Sequence, residues 1–121
     1  MLIRFAFFSI VITLLATTIA NASVTGRTEQ FSNDQVLVWE TVIYPGKSEM
    51  LKMHRHDHDR VLVAFNSGQL KIINDKGQVH YLKLEKEKSY FLSKNIPNEM
   101  HMDENVTDHP IKVLVIELKN S

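Results

Sequence analysis

From about Thr28 onward, apolar and polar positions follow the two-residue period of β-strands, and no convincing 3.6-residue period appears in that part of the chain. Residues 35–44 are rich in β-branched and aromatic side chains and predict a strand. Pro45-Gly46 ends it with a turn. Residues 51–56 alternate, whereas residues 61–65 form a continuous apolar run that predicts a strand buried on both faces. Residues 69–73 and 78–84 flank Asn74-Asp75-Lys76-Gly77 and predict a hairpin with Gly77 near the left-handed position. Residues 89–92, 100–106 and 111–118 complete the set. About eight short strands at such spacing predict an all-β, single-domain antiparallel sandwich or jelly-roll barrel.

The first thirty residues read differently. Arg4 precedes an apolar run from Phe5 to Ala16, broken only by Ser9 and Thr13, and Ala20-Asn21-Ala22 supplies the small residues of a signal-peptidase site. Residues 1–22 are therefore expected to be a secretory signal peptide, the alternative being a short membrane anchor. The organisation that follows is a polar lead-in at 23–30, loose until Thr28, and one domain over 31–119. Export implies a periplasmic or secreted protein that is free of the membrane once the leader is cleaved.

Composition narrows the chemistry. There are 14 Lys and Arg against 14 Asp and Glu, so losing Arg4 with the leader leaves a net charge of −1 and no basic footprint for nucleic acid. No cysteine is present, which excludes disulfides and thiolate chemistry. A small exported domain without disulfides rests on a modest apolar core, so a homodimer through a sheet face or edge is expected.

The candidate chemistry lies in Met53-His54-Arg55-His56-Asp57-His58-Asp59 and in His101. Histidines at i and i+2 of a strand point to one face, about 6.5–7 Å apart. A third histidine from a returning strand then completes one side of a metal ion. His58 reads as a loop or rim residue or a further ligand. His80, in an alternating strand, and His109, in a turn, read as exposed and bland.

These residues also carry a resemblance. Gly46, His54-x-His56 and Gly68 resemble the first conserved motif of the cupin superfamily, and Pro97, His101 and Asn105 resemble the second. The hairpin at 74–77 stands where the family has its inter-motif turn. His54-Arg55-His56-x-x-Asp59-x-Val61-x-Val63, Ser89-Tyr90-Phe91 and Ile116-Glu117-Leu118-Lys119 are similar to small single-domain cupins linked to β-alanine degradation. The resemblance covers roughly residues 31–119.

It implies a jelly roll with a divalent transition metal near its open end, held by His54, His56 and His101. Imidazole ligands suit Zn, Fe, Mn, Ni or Cu. Three protein ligands leave open positions that suit catalysis of an oxygenase, isomerase or lyase type, or simple ligand binding. The family's glutamate, expected three or four residues after the second histidine, is absent: Arg60 and Val61 stand there, and Asp59 falls one position early. Asp59 becomes a fourth-ligand candidate if a bulge turns it inward, and otherwise a surface or pairing carboxylate. Glu99 replaces the second motif's glycine. Asp59 and Glu99 are the proton-transfer candidates. Arg60, if inward, could grip a substrate carboxylate, or else pair with Asp57 or Asp59. The readings kept open are a metal-dependent enzyme acting on a small molecule, a non-catalytic ligand- or metal-binding module, and a metal-free dimeric β-sandwich.

Overall fold

A computed structural model describes residues 24–121, together with 2–3 and 12–13. The leader expected at 1–22 lies, those four residues aside, outside the described residues. In chain order the strands are β1 (Gly26–Ser32), β2 (Val36–Ile43), β3 (Leu51–His54), β4 (Arg60–Ala64), β5 (Gly68–Asn74), β6 (Val79–Leu84), β7 (Ser89–Leu92), β8 (His101–Asn105) and β9 (Ile111–Leu118). A five-stranded sheet runs β1-β2-β9-β4-β7 and a four-stranded sheet runs β3-β8-β5-β6, all pairs antiparallel.

The five-stranded sheet supplies most of the core because its central strands alternate cleanly. Trp39 and Ile43 of β2, Leu62 and Ala64 of β4, and Ile111, Val113 and Val115 of β9 are buried together, and Leu70 and Leu84 meet them from the other sheet. The run at 61–65 is not buried on both faces: β4 alternates, with Arg60, Leu62 and Ala64 buried and Val61 and Val63 only half-buried. Its inward face therefore starts with a cation.

The lead-in also differs from expectation, since strand structure begins at Gly26 rather than after a loose stretch. All seven β1 residues are exposed. Backbone pairing with β2, interrupted by a register shift between Glu29 and Phe31, holds the strand in place. A strand with no buried face leaves no period-2 hydrophobic signal.

Two of the motif glycines have structural causes. Gly46 sits at φ 98° and ψ 165°, a backbone region almost restricted to glycine. At Gly68 a β-carbon would stand 2.5 Å from Ile111 Cγ1 and 2.6 Å from its Cδ1. Ile111 is fully buried and has no room to yield. Gly68→Ala is expected to destabilise the fold by about 1–3 kcal/mol through overpacking, or a melting point lower by several degrees for a domain of this size. Thermal denaturation of the variant checks this; an unchanged midpoint would contradict the close packing.

Asn105, the second motif's asparagine, is buried and fully bonded. Its amide donates to the carbonyls of Ile43 and His109, and its side-chain oxygen accepts from the Thr107 backbone and hydroxyl. It ties the end of β2 to the β8–β9 turn and is not a ligand.

Candidate metal centre

The four-stranded sheet differs from its partner in what it turns inward. β8 buries His101, Asp103 and Asn105 at alternate positions, and β3 ends at His54, the direct cross-strand partner of His101. Pairing two antiparallel strands at this register brings together imidazoles that are 47 residues apart in sequence. Their ring centroids are 4.5 Å apart.

His56 joins them by a different route from the one expected. β3 stops at His54, so His56 lies in the β3–β4 loop rather than on the same strand face. Its backbone is held from across the fold: the His56 N–H donates to the Asn95 side chain at 2.7 Å, and the Asn95 N–H donates to the His56 carbonyl at 2.9 Å. The His56 ring centroid is then 4.9 Å from that of His54 and 5.3 Å from that of His101. One ligand atom from each of the three histidines lies within 4.8 Å of the others.

Asn95 gave no sequence signal, because it lies outside any periodic segment. Asn95→Ala is expected to free the loop and weaken binding of any ion at the three imidazoles by about 10–100-fold, as loss of a supporting hydrogen bond does. Zinc titration of folded variant and parent checks this; equal affinities would show that the loop holds itself.

The electrostatics suit neutral ligands. Burial chiefly, with the charge of Arg60 and the neighbouring histidines, lowers His56 to about 3. Burial first, then His54 and Arg60, lowers His101 to about 4. At ordinary pH both imidazoles therefore keep their lone pairs available, with no proton to displace. The His54 Nδ1 faces the Lys52 carbonyl. A carbonyl can only accept, so in the neutral ring Nδ1 carries the proton and Nε2 offers the lone pair.

The histidines open onto a cavity of about 850 Å³ between the two sheets. Its lining includes the apolar Trp39, Leu62 and Val115 and the polar Arg60, Glu99 and Asp103. Arg60 is inward and buried, next to Leu92 and Glu117 in the register. Its guanidinium points to the Ser93 carbonyl at 3.5 Å. Among the described residues it makes no ion pair within 4 Å, so it is not tied to Asp57 or Asp59. Burial lowers its pKa, opposed by Asp103, Glu117 and Asp59.

The structure does not bring Asp59 into the histidine group. Its carboxylate accepts from the Lys94 backbone N–H at 2.8 Å and anchors the β7–β8 loop. Glu99 is half-buried and lines the cavity, and His58 lines it while its Nδ1 faces the Ser121 carbonyl at 3.3 Å. His80 is exposed, as expected, yet also reaches the cavity wall.

Asp103 is the residue that the sequence reading passed over. Its signal was present, since two residues past His101 on an alternating strand is the same face. Asp103 Oδ2 lies 3.4 Å from His54 Nε2 and 3.7 Å from His101 Nε2. Burial pushes its carboxyl upward, against the pull of His54, Arg60 and His80.

Comparison with known proteins gives the fold. No family model matches the chain, and no curated protein matches it. Among solved structures, a cupin domain from Bordetella pertussis is 26% identical, with a TM-score of 0.68 over 83% of this chain and 98% of that one. A double-stranded β-helix protein from Klebsiella pneumoniae is 15% identical, with a TM-score of 0.60 over 93% of this chain and 91% of that one. A cupin family protein from Methanocaldococcus jannaschii is 12% identical, with a TM-score of 0.59 over 81% and 83%. The architecture is the double-stranded β-helix of the cupins, and the likeness to the Bordetella pertussis domain supports the cupin superfamily.

Proposed function

We propose that this protein is an exported cupin that binds a divalent transition metal through His54, His56 and His101 and admits a small molecule to the adjoining cavity. The carrying observation is the convergence of three imidazoles to within 4.8 Å. That they come from a strand, a loop and the facing strand argues for a built site. The donor set is three imidazole nitrogens, which suits Zn, Fe, Mn, Ni or Cu. When bound, such an ion would polarise a carbonyl or activate water or dioxygen.

The chain's own residues supply the rest. Arg60 is a buried cation in the cavity lining with no carboxylate partner within 4 Å among the described residues, and it would hold the carboxylate of a small acid. Trp39, Leu62 and Val115 would exclude water from the apolar part of such a molecule. Glu99, at the cavity wall, is the proton-transfer candidate. The motif resemblance to cupins linked to β-alanine degradation is compatible with a small amino or keto acid and rests on sequence alone. A second reading is a module that binds the same metal or ligand without turnover; it needs the cavity and Arg60 but not Glu99. Export rests on the leader sequence. A homodimer would use an exposed edge such as β1. The test is metal content of the mature protein purified without a histidine tag, before and after reconstitution with each of the five metals.

A further inference from the structure

We propose that Asp103 is the fourth protein ligand of this centre, supplying from β8 the carboxylate that the first motif lacks. The inference rests on the three-histidine reading and goes beyond it. His101 and Asp103 are two residues apart on β8, and both are buried on its inward face. Asp103 is also the cross-strand partner of Leu51, three residues before His54 on β3.

The orientation of His54 decides between two roles. A carboxylate that merely orients a metal-binding histidine accepts from the ring nitrogen that does not bind the metal. On His54 that nitrogen is Nδ1, and the Lys52 carbonyl already occupies it. Asp103 instead faces Nε2, the lone-pair side, at 3.4 Å, and faces His101 Nε2 at 3.7 Å. A carboxylate oxygen opposite an imidazole lone pair needs a cation between them, a proton in the metal-free chain or a metal ion when one is bound. The separations from His54 and His101 also fit co-ligands. Bonds of about 2.1 Å arranged tetrahedrally put neighbouring donor atoms about 3.4 Å apart. Asp103 stands outside the group whose ligand atoms all lie within 4.8 Å of one another, so its carboxylate must turn toward the ion to join it.

Where the family has its glutamate, this chain has Arg60, inward and cationic. An anionic ligand from that side is thus unavailable, while Asp59 is engaged by the Lys94 backbone. Moving the carboxylate to β8 leaves Arg60 free to face the cavity. One carboxylate also offsets half the charge of a divalent ion beside that arginine.

The experiment titrates metal-free wild type, Asp103→Asn, Asp103→Ala and Asp59→Asn with Zn(II) and Co(II), following affinity and the visible absorption of bound cobalt. Thermal melting first establishes which variants are folded; either Asp103 variant that folds serves. Loss of Asp103 is expected to weaken Zn(II) binding by about 100-fold, one ligand's share of the binding free energy, and to change the cobalt spectrum, since an oxygen donor leaves its coordination. Asp59→Asn is expected to match wild type in both. Wild-type affinity and spectrum without Asp103 would overturn the proposal, as would weakened affinity with an unchanged spectrum, which assigns an outer-sphere role. If wild type itself binds neither ion, the three-histidine reading fails and takes this one with it.

Discussion

Replacing His54 and His56 together by alanine is expected to abolish stoichiometric metal binding while leaving a folded β-barrel. A closed four-ligand zinc site is worth about 10–16 kcal/mol, so each ligand carries roughly 3 kcal/mol and losing two costs more than about 10⁴-fold in affinity. His101 alone would remain from the three-imidazole group. Neither substituted residue belongs to the apolar core, whose members lie on β2, β4, β5, β6 and β9. Stability of the metal-free chain should therefore change little. Elemental analysis of tag-free protein after reconstitution should give close to one metal per wild-type chain and less than about a tenth of that in the double variant. A wild-type chain that takes up none of Fe, Zn, Mn, Ni and Cu would remove the metal from the function altogether.

Acid should destabilise the metal-free protein well before ordinary carboxylates titrate. In the open chain His56 and His101 take up protons near 6.5, whereas in the fold they do so only near 3 and 4. Between these values the unfolded chain binds more protons than the native one, so stability rises with pH across the window and is lost as pH falls from about 6.5 towards 4. Each net proton contributes at most about 1.4 kcal/mol per pH unit, and less at the half-buried His56, where solvent screens the effect. Asp103 acts in the opposite sense. Burial raises its carboxyl above 3.8, so just above that value the native chain holds a proton that the unfolded chain has released. Melting temperatures of chelator-treated protein, followed from pH 7.5 to 4.5, should fall once the pH drops below about 6.5, and a His56→Gln/His101→Gln variant should show a shallower fall. A flat profile in the wild type would mean that these rings are not buried as neutral imidazoles.

The strand pattern was largely legible because a half-buried strand writes its inward face into alternate residues. β2, β7 and β9 lie within a residue of the segments expected from the sequence. β1 was not legible, since it buries no side chain and is held by backbone pairing that leaves no trace in composition. The histidines were legible as ligand candidates by residue type and motif. The reason His56 belongs with them was not: it depends on Asn95, 39 residues away in a loop.

By itself, then, the sequence determined an all-β chain, the inward sets on its strands and a histidine-based chemistry, because side-chain period and residue type are local properties. Asp103 belonged to such a set and could have been read from His101. The tertiary structure decided which inward sets face one another. It placed His54 opposite His101, set Asp103 against the lone-pair side of His54, sent Asp59 to a loop backbone and left Arg60 in the cavity. Those outcomes follow from the register and packing of strands far apart in the chain, which local periodicity does not encode.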